Sequence, residues 1–260
     1  RGARCSGGVR RGRGGLTVLA VGAWLIVVGF CDLMRAARDT TTGWRRGTIA
    51  TTGTLLLVLA GLLVGLEGSE WLGLGACGVA AYLLWLLGSS AALQGHTATA
   101  RVVAFSGLGL GLVVTVLGGG IVDAGPALPS AWDDTLIGGL SPDLLVLGAG
   151  VLLVQLSTAN IVVRLVLDAV GVPATTNEKQ LKGGRLLGPM ERLFLVVLGV
   201  GGYVTAAAVV VAAKGLLRFP ELQRGVEAEG PSDVTEYFLI GSFASWLFAL
   251  GGAALLWLAG

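Results

Sequence analysis

Runs of apolar residues, each close to the length of a membrane-crossing helix, alternate with short polar clusters along the whole chain. A helix that crosses a bilayer needs about 20 mostly apolar residues, because the backbone rises ~1.5 Å per residue through ~30 Å of hydrocarbon. Seven segments have that length: 16–34, 48–66, 71–88, 102–122, 144–166, 192–213 and 236–259. They predict an all-α fold, a polytopic transmembrane helical bundle of seven helices, with six and eight as the bounds. The chain divides accordingly into a basic N-terminal tail (1–15), a five-helix membrane region (16–170), a basic loop (171–191) and a C-terminal two-helix membrane hairpin (192–260). Arg10, Arg11 and Arg13 precede the first segment, as they would in a signal peptide. Its apolar run is long for that purpose and no small-x-small cleavage pattern follows, so a retained helix is expected.

Lysine and arginine concentrate in the cytoplasmic loops of membrane proteins. Here the 35–47 loop carries Arg35, Arg38, Arg45 and Arg46, the 94–101 loop carries Arg101, and the 167–191 loop carries Lys179, Lys182 and Arg185. The intervening loops are acidic, with Glu67 and Glu70, then Asp123, Asp133, Asp134 and Asp143. This alternation predicts a multi-pass protein of the cell membrane with its basic loops and its C-terminus in the cytoplasm. The five arginines of the N-terminal tail run against that scheme.

Composition supports the same class. Of 260 residues 54% are hydrophobic and only 13% are charged, about half the ~25% usual in soluble domains, and the mean hydropathy is +0.81. A net charge of +2 gives no footprint for nucleic acid. Cys5, Cys31 and Cys77 are scattered and odd in number, without a CxxC pair, so neither a disulfide framework nor a zinc site is implied. A single histidine, His96, excludes a bis-histidine haem.

Few motifs carry chemistry. "SGLGLG" at 106–111 and "GVGG" at 199–202 superficially match phosphate-binding loops, but both fall inside apolar segments. There small residues let helices approach closely, as with the Gly61/Gly65 and Gly107/Gly111 pairs. In "QLSTANIVVRLVLD", Ser157, Asn160, Arg164 and Asp168 recur at spacings that share one helix face. That face forms either a polar path or helix-to-helix glue, since polar groups in a membrane helix need partners. His96 stands in a short loop without a second ligand nearby, and no GxSxG, HExxH, paired-carboxylate or P-loop pattern occurs. The sequence therefore names no catalytic residue, no metal ligand set and no cofactor.

"LKGGRLLGPMERLF" at 181–194 places Arg185, Glu191 and Arg192 at the predicted start of the sixth segment, where a carboxylate complements the helix dipole. Lys214 and Arg218 follow at its predicted other end, where cations do the same. Paired glycines at 183 and 184 are expected to fold Arg185 back onto Glu191. Together with "AAKGLLRFPEL" at 212–222 and "TEYFLIGSFASW" at 235–246, this stretch resembles the C-terminal region of an uncharacterised family of prokaryotic polytopic membrane proteins, a domain of unknown function. The resemblance covers roughly 178–247 and implies a recurring set: Gly183, Gly184, Arg185, Glu191, Arg192, Lys214, Arg218, Phe219, Glu236 and Ser245. Within that set, an ion pair from Lys214 or Arg218 to Glu236 would clamp the last helical hairpin.

Three function classes fit these features. The first expectation, favoured by the glycine-rich helices, the short loops and the lack of a catalytic constellation, is a non-enzymatic membrane subunit or scaffold, working by helix packing with other subunits or with a second copy. Another is a small-solute or ion transporter, with a path past Ser157–Asp168 and Arg185/Glu191. The third is a lipid-processing enzyme at the cytoplasmic interface. Membrane lipids are expected partners of each, and a water-filled cavity reaching Arg164 would favour the transporter. The alternation of loops makes a direct prediction about sidedness. In intact cells, with native cysteines removed, Thr42→Cys should resist an impermeant thiol reagent and Ser130→Cys should label. The opposite pattern would invert the orientation.

Overall fold

With so few polar side chains to compete, backbone groups are satisfied within their own segments, and every long element is a helix. The computed structural model describes residues 13–36, 43–64, 69, 71–121, 141–171, 184–227 and 233–260, with no strand among them. In chain order the helices are α1 (Arg13–Arg35), α2 (Gly43–Val64), α3 (Ala76–Gly95, entered through a π-helical turn at Trp71–Gly75) and α4 (Ala98–Ile121). They continue as α5 (Pro142–Leu156), α6 (Thr158–Ala169), α7 (Gly184–Val200), α8 (Val204–Glu227) and α9 (Asp233–Ala259). Among the described residues, five helices are long and apolar enough to cross a membrane: α1, α2, α3, α4 and α9. A sixth crossing results if α5 and α6, bent by 44° at Ser157, count as one broken span.

Small residues set how these helices meet. A Cβ added to Gly22 or Gly29 of α1 would stand within 3 Å of the α5 backbone, at Leu147 and Leu153 respectively. Gly107 of α4 lies against the α3 backbone in the same way: an added Cβ would stand 2.4 Å from Trp85 N and 2.7 Å from the Ala81 carbonyl oxygen. Gly111, one turn on, receives the buried indole of Trp24. The Gly107/Gly111 pair is thus a packing device, while Gly65 lies outside the described residues. Around this core the outer faces stay apolar. Leu55, Leu59 and Leu62 of α2 and Leu239, Phe243, Leu247 and Leu250 of α9 are all exposed.

The predicted sixth segment, 192–213, is not one helix. Gly201 and Gly202 end α7 in a tight reversal, with Gly202 at φ +76, a conformation open to glycine at no steric cost. Tyr203 N–H bonds to the Leu198 carbonyl at 2.8 Å and Gly202 N–H to that of Gly199 at 3.2 Å, which satisfies the last carbonyls of the helix. The chain then returns as α8. This changes where it ends. The C-terminal Gly260 lies beside Leu144 at the start of α5, at the end of the bundle opposite the 94–101 connection and the C-terminus of α6. Seven single crossings would have put it at the basic end.

The close approach at Gly107 predicts a contrast within one helix. Gly107→Ala should lower thermal stability in mild detergent by about 1–3 kcal/mol, since backbone rather than a flexible side chain blocks the methyl. Gly109→Ala, whose Cβ meets nothing within 4 Å, should be neutral or stabilising. Equal effects at the two sites would refute the packing assignment.

Candidate functional site

Two buried polar networks interrupt the apolar interior, and a cavity lies between them. The first sits in the last turn of α1. Asp32 Oδ1 accepts from Arg35 Nε at 2.9 Å and Nη2 at 2.7 Å, while Oδ2 accepts from Trp85 Nε1 at 3.0 Å and Thr158 Oγ1 at 2.7 Å. Arg35 turns its remaining donors to Ser89 and Ser90 of α3, at 2.9 and 3.1 Å. Asp32 and Arg35 are 1% and 4% exposed, so the pair is sealed and its charges cancel. Sequence reasoning placed Arg35 in a loop and passed over Asp32 and Thr158. The available signal was an aspartate inside an apolar segment, three residues before an arginine.

The second network is built on the bend between α5 and α6. Ser157 Oγ stands 2.7 Å from the Gly29 carbonyl and 2.8 Å from that of Leu153, and Asn160 N–H closes a tighter turn onto the Ser157 carbonyl at 3.0 Å. The break releases the Gln155 carbonyl from the helical ladder. Arg192 of α7 takes it, through Nε at 3.0 Å and Nη2 at 2.9 Å. Its Nη2 also donates to Asn160 Oδ1 at 2.5 Å and its Nη1 to Ser245 Oγ of α9 at 3.0 Å. Every acceptor of this 2%-exposed guanidinium among the described residues is therefore neutral.

Glu191, the preceding residue, points to other partners. Its Oε1 accepts from Trp246 Nε1 at 2.7 Å and its Oε2 from Lys214 Nζ. The Lys214 ammonium also lies over the rings of Trp246 and Phe238, at 5.6 and 5.7 Å. Glu191 and Arg192 meet Trp246 and Ser245, and Gly199 further along α7 lies against Ala253, so α7 and α9 run parallel. Ser245 and Trp246 stand nine and ten residues beyond Glu236 in the apolar stretch Glu236–Ala259. At ~1.5 Å per residue the cluster is about 14–15 Å deep, near the middle of that stretch.

The hairpin explains the position of Lys214. Because the chain reverses at 201–203, Lys214 comes back to the level of Glu191 instead of marking the opposite end of a crossing. It therefore pairs with Glu191 and not with Glu236, which is exposed. Glu191 has both carboxylate oxygens occupied by Lys214 and Trp246, where Arg185 was the expected partner. Since α7 begins at Gly184, with Pro189 inside it, Glu191 sits two turns in and beyond the reach of the helix end. The side chains of Arg185, Arg218 and Phe219, with Gly183, lie outside the described residues.

The polar face of the fifth segment is divided among neighbours. Ser157 holds α1, Asn160 meets Arg192, and Arg164 lines the cavity. Asp168 binds Arg101 and His96, so the histidine has a carboxylate partner that its loop position did not suggest. The cavity, about 390 Å³, runs from Leu187, Tyr237 and Phe238 inward to Ser157, Arg192, Lys214 and Ser245, with Asp32 and Arg35 on its far wall. Among the described residues no three His, Cys, Asp or Glu side chains converge as metal ligands do.

Set against family models, curated proteins and solved structures, the chain matches none. The geometry does bring together Glu191, Arg192, Lys214 and Ser245, which come from all three of the C-terminal sequence blocks. A double-mutant cycle tests the central pair. Glu191→Gln should cost about 3 kcal/mol of stability by stranding a cation. Adding Lys214→Met should recover part of that loss, whereas strictly additive losses would show that the two groups do not interact.

Proposed function

We propose that the protein is a multi-pass integral membrane protein that binds a small solute inside its helical bundle, in the manner of a transporter or channel. The observation that carries this reading is the 390 Å³ cavity reaching Arg164 and continuing to Arg192 and Lys214 at mid-helix depth. Ionisable groups at such depth are costly and mark solute or ion pathways by default. The broken helix at its wall adds support, because transporters form their sites where a membrane helix is interrupted and its carbonyls are freed. The apolar outer faces of α2 and α9 suit contact with lipid.

The scaffold reading, drawn from the glycine-rich helices and short loops, would use those outer faces, which lipid covers equally well. Following the charge of the loops, the basic end of the bundle is cytoplasmic and the cavity opens there. The C-terminus then lies on the outer side, with the α7–α8 hairpin entering from the cytoplasm and returning to it. A bacterial cell membrane follows from the resemblance of residues 178–247.

Water access separates a solute site from a packing defect. In membranes, with native cysteines replaced, Ser242→Cys should react with a small water-soluble thiol reagent, although Ser242 is only 6% exposed. Leu247→Cys should not react, although Leu247 is 54% exposed, because lipid covers it. Labelling of Leu247→Cys with protection of Ser242→Cys would overturn the proposal.

A further inference from the structure

We infer that the cavity takes an anion: a carboxylate or phosphate group carried on a partly apolar body and seated against Lys214 and Arg192. This rests on the solute-site reading above and adds the chemical class of the solute.

Charge is the first ground. Asp32 and Arg35 cancel: the Asp32 carboxylate is fully engaged by Arg35, Trp85 and Thr158, and Arg35 commits four of its five N–H groups to Asp32, Ser89 and Ser90. Leaving Arg164 aside, the described residues on the opposite wall set two cations, Arg192 and Lys214, against one carboxylate, Glu191. An extra positive charge in a low-dielectric interior is expensive, and a bound anion offsets that cost.

Donor geometry is the second ground. Of the five guanidinium N–H groups of Arg192, four are used, which leaves one on Nη1. That nitrogen faces Gly188 on the cavity wall, where even a methyl group would stand 3.6 Å away. Lys214 has three N–H donors and spends one on Glu191. Ser242, one helical turn before Ser245 and Trp246, is more than nine-tenths buried, lines the cavity, and has a hydroxyl without a hydrogen-bond partner among the described residues.

Size and lining give the rest of the ligand. At ~30 Å³ per water, 390 Å³ holds about a dozen waters, far more than one inorganic anion needs. The space leading outward is walled by Leu33, Leu93, Ile161, Leu167, Leu187 and Phe238. A charged head therefore goes inward and an apolar body follows it.

Thiol reagents of opposite charge read this out at Ser242→Cys. Each rate is divided by the reagent's rate with a free thiol. An anionic sulfonatoethyl methanethiosulfonate should then react at least about 10-fold faster than its cationic trimethylammonium counterpart, as for a cleft lined by one sign of charge. Lys214→Gln should bring the two rates to within about 2-fold, and Lys214→Arg should keep the preference. Two further arms need no change at Lys214. Inorganic phosphate or acetate at tens of millimolar should slow labelling if the source is a free anion. Nanodiscs containing phosphatidylglycerol, compared with pure phosphatidylcholine, should slow it if the source is a lipid headgroup. No labelling by either reagent would remove the cavity reading itself. Labelling without charge preference, a preference for the cation, or protection by none of these anions would overturn the anion assignment and leave the cavity standing.

Discussion

Arg192 is the residue on which the C-terminal half of the bundle depends. Its guanidinium holds the carbonyl that the α5–α6 break sets free, and it reaches Asn160 on one side and Ser245 on the other. One side chain thus joins α5, α6, α7 and α9. Glu191 beside it fastens α8 through Lys214 and α9 through Trp246. A bent helix with an orphaned carbonyl would be unstable in an apolar interior, where no water replaces the lost partner. The bend and the arginine therefore require each other.

The two polar networks differ in what they leave over. Around Asp32 and Arg35 the two opposite charges meet directly, which gives a neutral pair that fixes α1 against α3 and α6. Buried ion pairs of this kind hold register more than they add stability. Among the described residues around Arg192 and Lys214, two cations face the one carboxylate of Glu191, the Ser242 hydroxyl has no hydrogen-bond partner, and space adjoins both. Partly satisfied polar networks cost stability, a cost that the anion we propose would offset.

Close packing and openness come from different halves of the chain. In α1–α5 glycines at 22, 29, 88 and 107 bring backbones together so tightly that no methyl would fit. In α7–α9 the contacts are made instead by long polar side chains, and between the two regions the helices part to form the cavity. The rigid N-terminal half offers one fixed wall, with Asp32 and Arg35, to a second wall built from polar reach.

Hydrophobic length determined much from sequence alone: an all-helical chain and the positions of α1, α2, α3, α4 and α9, since membrane-crossing helices need only sufficient apolar residues. It also singled out Asn160, Arg164, Glu191, Arg192 and Lys214, because charge inside apolar sequence stands out wherever it occurs. Which of these meet could not be read. Apolar runs on both sides of Gly201–Gly202 look continuous, and hydropathy carries no sign of a reversal, so Lys214 was assigned to the wrong end and its pairing with Glu191 was not foreseen. The break at Ser157 was hidden for the same reason, since residues 144–166 are as apolar as an unbroken helix. Only the tertiary structure decided these pairings, because hydrogen bonds from Arg192 to a released carbonyl exist only once three distant segments are packed together.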